Sequence, residues 1–171
     1  MAISTILLAN AGAQVPSHSQ DAASCRGFVQ EFYDWYTAVA AKAKERPWDL
    51  AIQHRAAQFS PSLLRMLKLD SEAASHAQGD IVGLDFDPIL GSQDPSKRYQ
   101  VRKANLQGDK CSVEVWSASP TNRADKSGKP DIIAETVFVQ GHWQFLNFRY
   151  PDLKLDLLTV LAQLREERQK H

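Results

Sequence analysis

The sequence predicts an α+β fold: N-terminal helices packed on a curved, cone-like, four-stranded antiparallel sheet, with a C-terminal helix. Three observations predict it. Apolar residues recur at helical spacing from Ser24 to about Ser75 and again from Leu157 to Leu164. Between Tyr99 and Tyr150 the period changes to two, with turn residues at Gly108-Asp109 and Gln140-Gly141. The two kinds of segment are separated along the chain, which indicates α+β rather than an alternating α/β architecture. A length of 171 residues suits one domain, and a chain of that size can bury a core without disulfide help.

The elements follow in order. Residues 1–20 read as a signal peptide and polar lead-in, and residues 21–171 as a single domain. Ile3 to Ala9 is a short apolar run, and Ala11-Gly12-Ala13 is a small-residue pattern of the kind signal peptidase accepts. No Lys or Arg precedes the run, which departs from the usual signal pattern. The expected location is periplasmic or secreted, and no cysteine sits near the cleavage site to take a lipid. From Ser24 the chain turns helical: Phe28, Phe32, Trp35 or Tyr36, and Val39 fall on one face. This helix ends before Pro47, because a residue ahead of proline avoids the α region. Asp49 to Gln58 reads as a second short helix. Ser60 and Pro61 then suit the cap and first turn of a third helix, which carries Leu63, Leu64 and Leu67.

Gly79 to Pro95 has no clean period, and its glycines, prolines and aspartates mark an ordered loop or broken short strands. Loops of that length are often functional. Tyr99 to Leu106 and Cys111 to Trp116 form a hairpin, with Cys111, Val113 and Val115 on one face and Ser112, Glu114 and Trp116 on the other. Ser117 to Pro130 is a polar tip. Ile132 to Val139 and Trp143 to Tyr150 form a second hairpin; simple alternation puts Trp143, Phe145, Asn147 and Arg149 on one face. Leu157, Leu158, Leu161 and Leu164 mark the last helix.

FVQEFYDWY on the first helix, FSPSLLRML on the third, GLDFDPILGSQDP in the loop and the closing GHWQFLNFRYP together resemble an uncharacterised bacterial family of exported proteins. That family is known only as a domain of unknown function. It is placed near the cystatin-like and nuclear-transport-factor-2-like cone folds. The resemblance spans roughly Gly27 to Gln163 and implies a fold and an envelope location. It supplies no catalytic residues. Relatives are often lipoproteins; this chain lacks the lipobox cysteine, so the resemblance implies a soluble version.

Composition narrows the chemistry. Lys+Arg and Asp+Glu both number 20, so the formal net charge is zero. Nucleic acid as a main partner draws on clustered positive charge, so it is not expected. No apolar run reaches the roughly 20 residues that a membrane helix needs, so no membrane insertion is expected either. Five aromatic rings crowd into the nine residues from Phe28 to Tyr36, in a chain that is 9% aromatic. Phe28, Phe32 and Trp35 read as core. Tyr33, off that stripe, and Tyr36, at its edge, with polar tips that want partners, are together with Trp35 the candidates to line a ligand pocket in the cone. Asp85 and Asp87 in the acidic loop, and Arg149 on the last strand, are the other candidate ligand-binding residues. The Asp85–Asp87 spacing fails the usual calcium loop, which needs a further ligand where Ile89 stands. Aspartates in such loops ordinarily bond loop amides, so no metal and no cofactor is expected. None of the five histidines sits in a metal or nucleophile motif, and no catalytic residue is assigned. Cys25 and Cys111 could bridge in an oxidising compartment or remain two small buried thiols, and the sequence leaves both open.

The reading is a non-enzymatic exported binding protein of the bacterial envelope, holding a partner protein or a small ligand. The alternatives are an inhibitor or immunity protein of another enzyme, or a small cone-fold enzyme with acid–base groups in its pocket. Related folds host isomerases and dehydratases, but fold analogy does not settle function.

Overall fold

The structure is a computed structural model, and it describes residues 19–44, 46–76, 83–118 and 128–170. The expected signal peptide therefore lies outside the described residues except for Ser19 and Gln20, as does most of the 117–130 tip.

Helix α1 runs Ala22–Ala40. Asp21 caps it: its carboxylate accepts from the Ser24 amide at 2.7 Å, and the Ser24 hydroxyl accepts from the Asp21 amide. This reciprocal pairing satisfies two amides that would otherwise be orphaned at the helix start. The helix stops several residues short of Pro47. Helix α2 follows at Pro47–His54, with proline in its first turn, and a single 3₁₀ turn, Ala56–Gln58, replaces the rest of the expected second helix. Helix α3 spans Pro61–His76. Strands β1 (Tyr99–Gln107), β2 (Lys110–Ser117), β3 (Ile132–Val139) and β4 (His142–Tyr150) form an antiparallel meander. A short β5 (Leu155–Asp156), absent from the sequence reading, adds a fifth strand against Arg149 and Tyr150. Helix α4, Leu157–Arg168, begins at once from the Asp156 cap.

Two corrections concern side-chain facing. On α1 the buried residues are Cys25, Val29, Phe32, Tyr33 and Tyr36, while Phe28 and Trp35 are half-buried. The core face is thus turned toward the tyrosines, because α1 is anchored to the sheet through Cys25 and to a loop through its phenols. On β4 the register shifts opposite Glu135–Thr136: Glu135 pairs with Asn147, and Thr136 with Phe145. This bulge at Leu146 inserts one residue into the alternation. Trp143, Phe145, Phe148 and Tyr150 all become buried as a result, and Arg149 faces out.

The sheet's inner face carries Cys111, Val113, Val115, Ile132, Ala134 and the four β4 aromatics against the helices. Phe32 sits 4.7 Å from Phe145 and 5.7 Å from Phe59, and Phe28 sits 4.8 Å from Phe145. Phe145 in turn stacks on Phe148 at 5.1 Å. The concave side of the sheet is filled by rings. Both sheet edges are managed, as exposed edges invite unwanted pairing. Beside β4, Phe59 bridges Phe145 and the Ser60 amide donates to the Phe145 carbonyl at 2.8 Å. Beside β1, the Gln30 side chain accepts from the Val101 amide at 2.8 Å and donates to the Tyr99 carbonyl at 3.3 Å. Cys25 and Cys111 are joined in a disulfide, both sulfurs buried, and the bond ties the first turn of α1 to the start of β2.

Candidate functional site

The meander places one set of chain ends at each pole. At one pole lie the two tight turns, at Gly108-Asp109 and Gln140-Gly141, beside the disulfide. At the other lie the 83–98 loop, the entry to β3 and the 151–154 turn. The second pole is where the sequence-predicted candidates partly converge.

Its centre is the short run Asp87-Pro88-Ile89-Leu90, all buried. Asp87 Oδ1 accepts from the amides of Ile89 and Leu90 at 2.9 and 3.0 Å, a turn that aspartate forms by bonding its own following backbone. Every tyrosine of the chain reaches this run. Tyr36 donates to Asp87 Oδ2 at 2.9 Å, Tyr150 to the Pro88 carbonyl at 2.7 Å, Tyr33 to the Ile89 carbonyl at 2.7 Å and Tyr99 to the Leu90 carbonyl at 3.2 Å. Buried backbone carbonyls need partners, and here phenols supply them in place of a sheet or helix. Gly91 (φ +64°) closes the turn; a side chain there would press on Ile132 and Tyr150.

Burial sets the electrostatics. Tyr33, Tyr36 and Tyr150 are pushed well above the ordinary phenol range, chiefly by desolvation, then by neighbouring phenols and carboxylates at Tyr33, mainly by Asp87 at Tyr36, and by Asp87 and Asp156 at Tyr150. Asp87 is pushed up to about 6 by desolvation, which outweighs its three donors. The Asp87 residue is 6% exposed, and no cation contributes to its environment.

Next to this run is an open groove of about 350 Å³ between the α1–α2 connection and the loop. Trp48, Arg46, Leu84, Asp85, Phe86 and Asp87 help to line it. Arg46 is already paired with Asp49 at 3.1 Å. Asp85 is exposed and accepts from Gln93 at 3.3 Å. At the loop entry, Asp70 of α3 accepts from the Leu84 amide at 3.1 Å and from Arg168 of α4 at 2.7 Å.

The six candidates therefore do not form one site. Tyr33, Tyr36 and Asp87 come together in the buried run, and Asp85 lies on its outer side. Trp35 lies on another flank of α1, with the Arg55 guanidinium 4.9 Å above its ring. Arg149 is on the sheet face away from the helices, paired with Glu135 at 2.8 Å. Sequence reasoning missed Tyr99 and Tyr150, which complete the phenol set, and missed the apolar rim around Tyr150. Leu155 pairs with Tyr150 across β4–β5, Phe86 lies edge-on to its ring at 5.5 Å, and the Leu153 amide donates to its carbonyl at 3.1 Å. Leu153 is 60% and Leu155 42% exposed. The paired leucines in YPDLKLD were the available signal, and the helical reading of the following residues obscured it.

Among the described residues no group of histidines, cysteines and carboxylates could hold a metal ion, and no helix is long and apolar enough to cross a membrane. No protein-family model matches the chain, and no curated protein matches it. A chain of the type VI native effector-immunity complex Tae3-Tai3 from Ralstonia pickettii is similar at 18% identity and a TM-score of 0.49, covering 72% of this chain and 92% of that one. A chain of the SeMet form of that complex is similar at 17% identity and a TM-score of 0.48, covering 74% and 95%. Similarity at that level carries no functional argument.

Proposed function

We propose that the protein is a non-enzymatic binding protein of the envelope that seats a partner protein on its loop pole. The observation that carries this reading is the pair of exposed leucines, Leu153 and Leu155, next to Tyr150 at the loop pole. Large side chains left in water beside a loop cluster are a cost that contact with another protein removes. Two further features support a protein over a small ligand. The concave face that would hold a ligand is occupied by Phe28, Phe32, Phe59, Phe145 and Phe148. The polar groups aimed inward, the phenols and Asp87, already bond the loop. The buried Cys25–Cys111 bond supports export, because such bonds persist in oxidising compartments. An inhibitor or immunity protein is one form of this reading, since either acts by covering another protein's surface.

A photo-crosslinking residue at Leu153, compared with one at exposed Ser62 on α3, tests the reading in the native envelope. A discrete protein adduct from position 153 and none from 62 is expected. Equal adducts from both, or none from 153, would overturn it.

A further inference from the structure

Strand β1 is an edge of the sheet, paired along one side with β2. Alternate residues of an edge strand aim their amide and carbonyl away from the sheet, and those groups need partners. At Tyr99 and Val101 the partner is one side chain. Gln30 of α1 accepts from the Val101 amide through Oε1 at 2.8 Å and donates to the Tyr99 carbonyl through Nε2 at 3.3 Å. Bonds of this kind are what the main chain of a neighbouring strand supplies. Nε2 also donates to Asp34 at 2.8 Å, one turn along α1, so Gln30 can swing off the edge and keep that bond. A groove of about 470 Å³ lies along this edge, between Gln30, Asp34 and Thr37 on α1 and Arg98, Tyr99 and Gln100 on the strand side. The bulge at Arg102-Lys103 interrupts regular pairing beyond Val101, so the regular edge is the stretch that Gln30 holds.

The charge around this edge has one sign. In a chain of zero formal net charge, residues 97–107 hold Lys97, Arg98, Arg102 and Lys103 and no Asp or Glu. The Arg102 guanidinium lies over the Trp116 ring at 4.2 Å. Lys97, Arg98 and Lys103 are exposed, and among the described residues none of the three forms an ion pair. Asp34 is the one carboxylate among the described lining residues, and it is held by the Gln30 amide.

We infer that the β1 edge is a docking edge for an extended, acidic segment of a partner protein, which pairs with Tyr99 and Val101 in place of the Gln30 amide while its carboxylates meet Lys97, Arg98 and Lys103. Main-chain bonds to an open sheet edge supply affinity in this mode of recognition, and the flanking cations select an acidic segment over a basic one. Leu153 and Leu155 lie beside the opposite edge of the sheet, at β5, so the inference stands apart from the reading of the loop pole.

A ¹⁵N NMR titration of the natural protein with a short end-blocked peptide of alternating glutamate and valine tests it, with a lysine–valine peptide and oligothymidylate as comparisons. The glutamate peptide should shift the Val101 amide and the Gln30 side-chain amide saturably, and the lysine peptide should not. Lys97→Glu with Lys103→Glu, both exposed positions, should weaken the glutamate peptide by about tenfold or more. Gln30→Ala should bind it more tightly, because no internal group then has to be displaced. No shift at Val101 with the glutamate peptide, equal shifts with both peptides, or equal or weaker binding by Gln30→Ala would overturn the docking edge. Shifts from oligothymidylate as large as those from the peptide would mark a plain polyanion surface and overturn it too. If Gln30→Ala does not fold, the charge-reversed variant and the peptide comparison on the natural protein decide.

Discussion

Asp70 and Asp87 are both buried aspartates, but their environments differ. Asp70 is 1% exposed and has Arg168 at 2.7 Å; Asp87 has only neutral donors. Removing the cation from the first should therefore cost more than removing the anion. Arg168→Met strands a buried charge and should lose about 3–5 kcal/mol at pH 7. Asp70→Asn leaves a guanidinium with access to water and should lose about 1.5–3 kcal/mol. Urea midpoints of the two variants check the order. For Asp87 the sign runs the other way. Its folded value lies above its unfolded one, so its contribution to stability is fully present below pH 3.8 and is lost as pH rises through about 6. Asp87→Asn should then be more stable than the natural protein at pH 7.5, by up to about 3 kcal/mol, and the gain should vanish by pH 4. Denaturant unfolding at both pH values measures it. The amide turn around Asp87 was legible, because aspartate followed by proline ahead of an apolar pair has an ordinary local use. The phenol partners were not, because Tyr33, Tyr36, Tyr99 and Tyr150 come from three elements far apart in sequence.

At the scale of the element, the disulfide and the β4 bulge decide how helix and sheet meet. The bridge closes a sequence separation of 86 residues, for which the chain-entropy argument gives about 4–5 kcal/mol. A Cys25→Ala, Cys111→Ala double variant should lose about that much, read from thermal or urea unfolding. Because both sulfurs are held in the bond, alkylation in denaturant without reductant should label neither cysteine, and full labelling of both would contradict the bridge. Helices α1 and α3, and the four long strands, were legible from their periods, since each has one wet and one dry face. The facing of β4 after Phe145 was not. A bulge adds one residue without any glycine or proline to mark it, and every later side chain then changes face. Strand β5 escaped notice for a different reason: two residues are too few to show a period.

On the scale of the whole molecule, rings fill the concave face of the sheet and Leu153 and Leu155 stand exposed at the loop pole, the arrangement on which the proposed protein-binding role rests. Leu155→Asp should leave stability within about 0.5 kcal/mol, as exposed substitutions generally do, while abolishing the crosslink from position 153. The measurement that tests this account most directly is native mass spectrometry of the protein purified from its own envelope without reductant. The account predicts a chain two hydrogens lighter than the reduced one, in complex with a second protein and carrying no small molecule of its own. A stoichiometric small-molecule adduct on the isolated chain, with no protein partner, would contradict it.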